Sequence, residues 1–358
     1  MSEILVNTIK KADGTGNLSV PAETGTVVTT ASPSLGRRNL IINGAMQVAQ
    51  RGTSSTATGF GSVDSFRPVV GGMSQLAITH SQSTDAPDGF GYSFKVLVDT
   101  PETSLGEAAR FTLLHKIEAQ NLQHLQFGAS GAKSLTLSFW VKSSITGTYS
   151  VLLYENNAER GRNETYTVDT ADTWEFKTIT VEGDTSGTIN NDNTSGLALY
   201  WGLSGGSSYT GTELTSWSAY TAVSLLGGHT AHTFATTDAA EFYITGVQLE
   251  VGSVATPFEH RSYGEELMLC RRYCQLITRS ASEGDVLGNR IYGAVYSTTG
   301  TFIFQPFVPP MRDTPDLTYT AAGSNGFSET YTGSHQLGLY DADDISARIY
   351  NAIAEAEL

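Results

Sequence analysis

Basic residues are scarce in this chain. It has 21 Lys and Arg against 36 Asp and Glu, a formal charge of −15 at pH 7 and a pI near 4.8. Nucleic-acid binding draws its affinity from clustered Lys and Arg that displace counterions from phosphates, so DNA and RNA are excluded as expected partners. Cysteine is scarcer still. Only Cys270 and Cys274 occur, which rules out the disulfide framework that staples small secreted domains. Four apart, they are expected on one helix as small buried hydrophobes, since nothing near them completes a four-ligand zinc site. No run approaches the roughly 20 apolar residues that span a bilayer, and the N-terminus lacks the basic and hydrophobic regions of a signal peptide. Neither membrane insertion nor the usual secretory route is expected.

What is abundant points to strands. Thirty-seven glycines, many Tyr and Phe, and only 16% charged residues, with frequent Ser and Thr, describe short strands joined by polar turns, not amphipathic helices. The fold class is therefore all-β. At 358 residues the chain can enclose at least two cores, and composition divides it into residues 1–36, 37–262 and 263–358. The first piece alternates over residues 4–9 and 26–30 but holds too few apolar residues to enclose a core alone. Wrapped threefold, it would bury Ile4, Val6, Val20, Val27 and Val28 between chains; the alternative is a disordered leader.

From residue 37 to about 261, strand signals follow at the spacing of a β-sandwich. YSFKVLV places Tyr92, Phe94, Val96 and Val98 on one face, and LTLSFWV does the same for Leu135, Leu137, Phe139 and Val141. Gly246 interrupts the alternation of EFYITGVQLEV where a β-bulge would shift the register. A single helical turn is expected inside this domain, at residues 121–125. GEELMLCRRYCQLI reads as a short linking helix with Leu267, Cys270, Arg271 and Cys274 at helical spacing and Glu265 and Glu266 near its N-terminus. Beyond it lies a smaller β-sandwich of about 80 residues, whose last segment, 345–358, is taken as strand although its Ala and Glu content also suits a helix.

Two stretches bracket the larger domain. NLIINGAMQVAQRG, from Asn39 to Gly52, opens it, and YITGVQLEVGSVATPFEHRSYGEELMLCRRYC, from Tyr243 to Cys274, closes it. Together they resemble bacteriophage tail-fibre and receptor-binding proteins, and the block beginning FTLLHKIEAQNLQHLQFG is similar to the interior of the same phage domain, so the resemblance covers some 225 residues. It implies a jelly-roll-like sandwich of the carbohydrate-binding-module type, a homotrimer, an N-terminal segment attaching to virion tail or neck proteins, and a host surface polysaccharide as partner. A virion protein folded in a bacterial cytoplasm would do an extracellular task without disulfides.

Flat aromatic rings cover the apolar face of a sugar while amides and carboxylates meet its hydroxyls, and two regions offer both. The segment from Gly202 to His232 carries Tyr209, Trp217 and Tyr220, with the alternative that Trp217 caps the open edge of the sandwich. ENNAERGRNETY carries Tyr154, Asn156 and Asn157, with a solvated hairpin as the alternative. Trp140 either faces the second layer or supplies a platform on an outer face. Trp174 and Trp201 are assigned to the core. A structural Ca²⁺ would use Asp184 or Asp192 in GDTSGTINNDN, but Asn and Asp are also what turns require; no cofactor is called. His229 and His232 lack a third ligand. Gly202 to Gly206 spell G-x-S-x-G around Ser204, yet no helix follows to support a nucleophile. The carboxylate pairs Glu155 with Glu164 and Glu241 with Glu250 have no distinguishing spacing. No catalytic residues are assigned. The expected function is non-catalytic adhesion to a host glycan by a virion fibre, with a glycan-independent decoration protein of head, neck or tail, or a capsule-degrading enzyme, as alternatives.

Overall fold

The computed structural model describes residues 9–10, 17–18, 38–231, 233–278, 291–292, 294–295, 301–322, 329–341 and 348–358. The expectations for Ile4, Val6, Val20, Val27, Val28 and His232 lie outside these residues. Two compact units are present, Met1–Gly36 and Arg37–Leu358. In the first, β1 (Ile9–Lys10) pairs antiparallel with β2 (Asn17–Leu18).

The second unit is all-β apart from short helical pieces. Its first twelve strands are β3 (Ser54–Ser55), β4 (Arg67–Gly71), β5 (Ala77–Ser83), β6 (Ser93–Thr100), β7 (Arg110–Glu118), β8 (Leu135–Ser143), β9 (Gly147–Glu155), β10 (Arg160–Val168), β11 (Glu175–Val181), β12 (Ser195–Gly205), β13 (Ser218–Ala219) and β14 (Glu241–Val251). They build two six-stranded sheets, ordered β13-β10-β9-β12-β7-β4 and β11-β8-β14-β6-β5-β3. Side chains alternate sides along a strand, so each sheet turns one apolar face to the other. Phe94, Val96, Val98, Leu135, Leu137, Phe139 and Val141 from one sheet meet Phe111, Leu113, Leu199 and Trp201 from the other in a single core. Phe139 bridges the layers, its ring edge-on to Trp201 at 6.2 Å and to Tyr166 at 5.0 Å. Tyr92 departs from the expected buried face: it precedes β6 and is 38% exposed.

Gly246, at φ +61°, marks the register shift between Thr245 and Gln248 where β14 meets β8. That bulge keeps Ile244 on one side and Val247 and Leu249 on the other inside the same core. The 3-10 turn Ala119–Leu125 covers the anticipated position, but further turns at Ala222–Ser224 and Phe234–Thr236 correct the expectation of only one.

Helix α1 (Tyr263–Cys270) starts at Ser262, whose hydroxyl accepts from Glu265 N–H while the Glu265 carboxylate accepts from Ser262 N–H at 2.9 Å, a reciprocal cap that satisfies two otherwise orphaned donors. Cys274 is not on this helix, contrary to the spacing argument. It opens β15 (Cys274–Thr278), which pairs with the chain around Glu355, and its carbonyl also accepts from Gln50 Nε2 at 2.7 Å; both cysteines are free and buried. The rest of the unit comprises β16 (Ile291–Tyr292), β17 (Ala294–Val295), β18 (Thr301–Pro306), β19 (Asp316–Ala322), β20 (Glu329–Gly333), β21 (Gln336–Asp341) and β22 (Arg348–Glu355). β22 pairs with β15, β16 and β19, and a second sheet runs β17-β18-β21-β20, around a core that includes Ile303, Phe307, Leu337, Leu339 and Ala354. The final segment is thus strand, not helix.

The opening and closing stretches of the sequence meet in space. Asn39 is buried and uses its whole amide: Oδ1 accepts from Ile41 and Leu249 N–H, and Nδ2 donates to Val247 O. Asn43 is fully buried; its amide donates to Val48 O and Asp64 O and accepts from Val48 N–H, while its own N–H donates to Glu266 on α1. Directly after Asn43, Gly44 lies so close to β14 that a Cβ there would stand 2.1 Å from Val247 O. Gln50 bonds Asp64 and Cys274, and Arg51, its side chain 7% exposed, pairs with Asp64, Glu355 and Glu357. Replacing Asn43 by Ala strands three buried backbone partners, each costly when unpaired, so a loss of about 2–4 kcal/mol is expected in chemical denaturation, with Gly44→Ala at least as damaging. An Asn43→Ala protein as stable as the parent would remove this stretch from any structural role.

Candidate functional site

Alternation along three neighbouring strands sets up one outer surface. With Leu199 and Trp201 of β12 in the core, Tyr200 points away from it; with Val151 and Leu153 of β9 inside, Leu152 and Tyr154 point away; with Phe111 and Leu113 of β7 inside, Arg110 and Thr112 point away. The segment between β12 and β14 folds back over this face. Leu225 and Leu226 bury Leu152, and Tyr154, Tyr200, Tyr209 and Tyr220 pack around them. Gly202 and Gly205 make room, since a Cβ at either would lie 2.2 Å from the Leu226 side chain.

The result is an open groove of about 330 Å³ lined by Val69, Arg110, Thr112, Tyr154, Tyr200, Tyr209, Tyr220, Ala222 and Leu225. The Tyr154 and Tyr220 rings lie 4.7 Å apart, inclined at 57°. The Arg110 guanidinium sits 5.3 Å from the Tyr209 ring centre and donates to its hydroxyl. Tyr220 N–H donates to Glu159 O at 2.9 Å and Leu226 N–H to Tyr209 O at 2.8 Å, which fix both loop tyrosines to the scaffold. Burial, then the neighbouring phenols of Tyr200, Tyr154 and Tyr209, push the Tyr220 hydroxyl up to about 12 against the opposing charge of Arg110, so it remains a hydrogen-bond donor at neutral pH. The groove offers flat apolar rings with hydroxyls and a guanidinium at their edges.

Three residues singled out from sequence, Tyr154, Tyr209 and Tyr220, therefore come together although they belong to two distant segments. Trp217 does not join them. It is 9% exposed, stands edge-on to Phe127 at 5.5 Å and donates from Nε1 to Glu182 O at 2.7 Å, closing the edge of the sandwich. Asn156 and Asn157 are elsewhere too, accepting from Ser195 Oγ and from Asn190 N–H. Trp140 faces outward on the opposite sheet, 5.3 Å from the half-exposed ring of Phe176. Trp201 is core as expected, but Trp174 is half-buried outside it, donating to Asp85 and lying under the Lys142 ammonium. Tyr200 and Arg110 were missed. Tyr200 reads as one apolar letter in LALYWGL, yet once Trp201 is placed in the core, strand alternation obliges Tyr200 to face out.

The remaining motifs serve the fold. Asp184 is held by Arg160 and accepts from Ser186 N–H at 2.8 Å; Asp192 accepts from Thr194 N–H at 3.0 Å. Both organise turns, and among the described residues no group of three His, Cys, Asp or Glu is placed to hold a metal ion. Ser204 lies within β12, buried, its hydroxyl accepting from Ala235 N–H. His229 is buried and accepts at Nδ1 from Ser150 N–H. Glu241 engages Lys95, Glu250 engages Thr256 and Glu164 engages Arg162.

No family model and no curated protein matches the chain. Among solved structures it is similar to the enzymatically active domain of tailspike protein 4 of bacteriophage CBA120, at 11% identity and a TM-score of 0.32, over 60% of this chain and 21% of that one. It is also similar to a carbohydrate-binding module designated CBM4, at 13% identity and TM-score 0.28, over 59% of this chain and 99% of the module. A third likeness is to the family 11 carbohydrate-binding module of Clostridium thermocellum in complex with a β-1,3-1,4-mixed-linked tetrasaccharide, at 12% identity and TM-score 0.28, over 57% and 98%. The chain thus spans about a fifth of the tailspike domain and nearly all of each module.

Glu155, at the inward end of β9, has both carboxylate oxygens buried without a hydrogen-bond partner. Burial, then the charge of Asp184, push it up to about 8, with Arg160 opposing. For Asp184 burial acts in the same direction, but the Arg160 bond and the N–H groups of Ser186 and Gly187 outweigh it and hold that carboxyl below its usual range. A carboxyl whose folded pKa lies above its unfolded value of 4.5 contributes stability below that value and loses it as pH rises through about 8. Glu155→Gln is expected to match the parent near pH 5 and to exceed it by about 1–3 kcal/mol at pH 8.5, measured by thermal melts at both pH values; equal differences at the two would contradict the assignment.

Proposed function

We propose that this chain is a phage virion fibre protein, a homotrimer that adheres to a host cell-surface glycan by non-catalytic binding in the tyrosine groove. The observation that carries the reading is the convergence of Tyr154, Tyr200, Tyr209 and Tyr220 around Arg110 on an open face of the sandwich. Aromatic rings seat the C–H face of a pyranose, and hydroxyl and guanidinium donors at their rims fix its orientation. Supporting it are the paired stretches Asn39 to Gly52 and Tyr243 to Cys274, which resemble phage receptor-binding proteins. In this reading residues 1–36 attach to tail or neck proteins of the virion, residues 37–262 are the glycan-binding sandwich, and residues 263–358 form a tip domain. Weak single sites repeated three times per fibre would give firm adhesion through effective concentration.

The test is a glycan array probed with the purified protein and with the Tyr154→Ala/Tyr220→Ala variant, beside light scattering for mass. Selective signal that falls about tenfold or more in the variant is expected, together with the mass of three chains. A monomer removes the fibre assembly. Array binding unchanged in the variant moves the site away from this groove.

A further inference from the structure

The outer face that holds the groove carries an electrostatic feature at odds with the acidity of the chain. Strand register aligns Arg67, Leu114 and Tyr200 in one row across β4, β7 and β12, and Lys116, Ala198 and Tyr154 in the next row across β7, β12 and β9. Neighbouring strands are about 4.8 Å apart, so Arg67 lies roughly 10 Å from Tyr200 at the backbone, with Lys116 on the same face and Arg110 at the other end of that row of outward side chains on β7. None of Arg67, Arg110 or Lys116 forms a salt bridge among the described residues. Arg67 leaves its buried Nε without a hydrogen-bond acceptor, its guanidinium lying 5.2 Å from the Phe60 ring. Burial, then the neighbouring charges of Arg67 and Arg312, hold the Lys116 ammonium below its ordinary range, and Lys116 shares a small pocket beside this face with Phe60 and Glu357. No carboxylate lines the groove; the acid beside it is Glu159, which raises the hydroxyl of Tyr154 after burial does.

We infer that the polysaccharide taken by this face is anionic, its sugar rings on the tyrosines and its carboxylate or phosphate groups on Arg67, Lys116 and Arg110. The inference rests on the glycan reading above and adds its charge class. Guanidinium groups pair with carboxylate and phosphate in a bidentate geometry and bind most strongly where they are partly desolvated. In a chain of charge −15, an acidic polymer would be repelled elsewhere and admitted at this face, which gives the charge arrangement a selective consequence.

The experiment uses the full chain and three probes: polygalacturonate, the same polymer with its carboxyls reduced to hydroxymethyl groups, and a poly(glycerol phosphate). Affinity electrophoresis or calorimetry is run at about 0.05 M and about 0.5 M NaCl on the parent and on the Arg67→Gln/Lys116→Gln variant, with thermal melts to confirm that the variant folds and Lys116→Gln alone as the milder change. Binding of at least one anionic polymer about tenfold or more tighter than the carboxyl-reduced one, lost at the higher salt and in the double variant, is the expected result. Which anionic polymer is preferred separates the carboxylate source from the phosphate source. Equal, salt-insensitive binding of neutral and anionic polymers would overturn the charge inference while leaving glycan adhesion standing. Failure to bind any of the three, joined to an empty glycan array, would overturn both.

Discussion

Two buried asparagine side chains hold this molecule together. Backbone carbonyls and N–H groups that cannot reach water must be paired inside the protein, and in the stretch after residue 38 there is no strand ladder to do it until β3. Asn39 and Asn43 supply the partners instead, each spending its donor and acceptor on backbone groups of its own turn or of β14. Gly44 permits the approach and Glu266 ties the same turn to α1. The two sequence stretches that bracket the larger domain are therefore one structure: an irregular opening segment whose hydrogen bonds are completed by the strand, turn and helix that close the sandwich.

That closure leaves both outer faces of the sandwich available, and they differ. On one, Trp140 and Phe176 lie side by side, while Lys142 and Lys95 sit over Tyr243 with their charges taken up by Asp85 and Glu241. On the other, the segment between β12 and β14 banks against Leu152 and walls a groove whose lining cation, Arg110, forms no salt bridge among the described residues. The core beneath is common to both, so the contrast comes from the outward half of each strand's alternation and from one long connection. Side chains placed on the sheet, as Tyr154 and Tyr200 are, or on a segment steadied by backbone bonds, such as Leu226 N–H to Tyr209 O, have little freedom left to lose to a ligand.

Much of this was legible in the sequence. Period-two patterning identified Leu135, Leu137, Phe139 and Val141 as a buried face, and Gly246 as the place where the register slips, because both signals are local. Tyr209 and Tyr220 were singled out because long polar connections with aromatic residues are rare in compact domains, and Tyr154 because it borders a polar hairpin tip. Their convergence was not visible, since it depends on which strands neighbour one another in space. For Trp217 the sequence left a ligand platform and an edge cap both open, and the contacts with Phe127 and the Glu182 carbonyl, both distant in sequence, give it the second role. The i, i+4 spacing of Cys270 and Cys274 suggested one helix, but the carbonyls of Arg272, Tyr273 and Cys274 are taken by Arg312 N–H, Ala356 N–H and Gln50 Nε2, partners that sequence spacing does not reveal.

Arg51 has a consequence for the order of events during synthesis. Its partners Glu355 and Glu357 lie 304 and 306 positions later, so a guanidinium with little exposure in the finished molecule has only nearby Asp64 until β22 brings these two carboxylates to it. Contacts spanning such separations close late, after nearer pairings have reduced the entropy of the intervening loop. On the ribosome the sandwich strands can assemble while the seam around Arg51 stays open, and β22 with the residues that directly follow it acts as the latch that seals it.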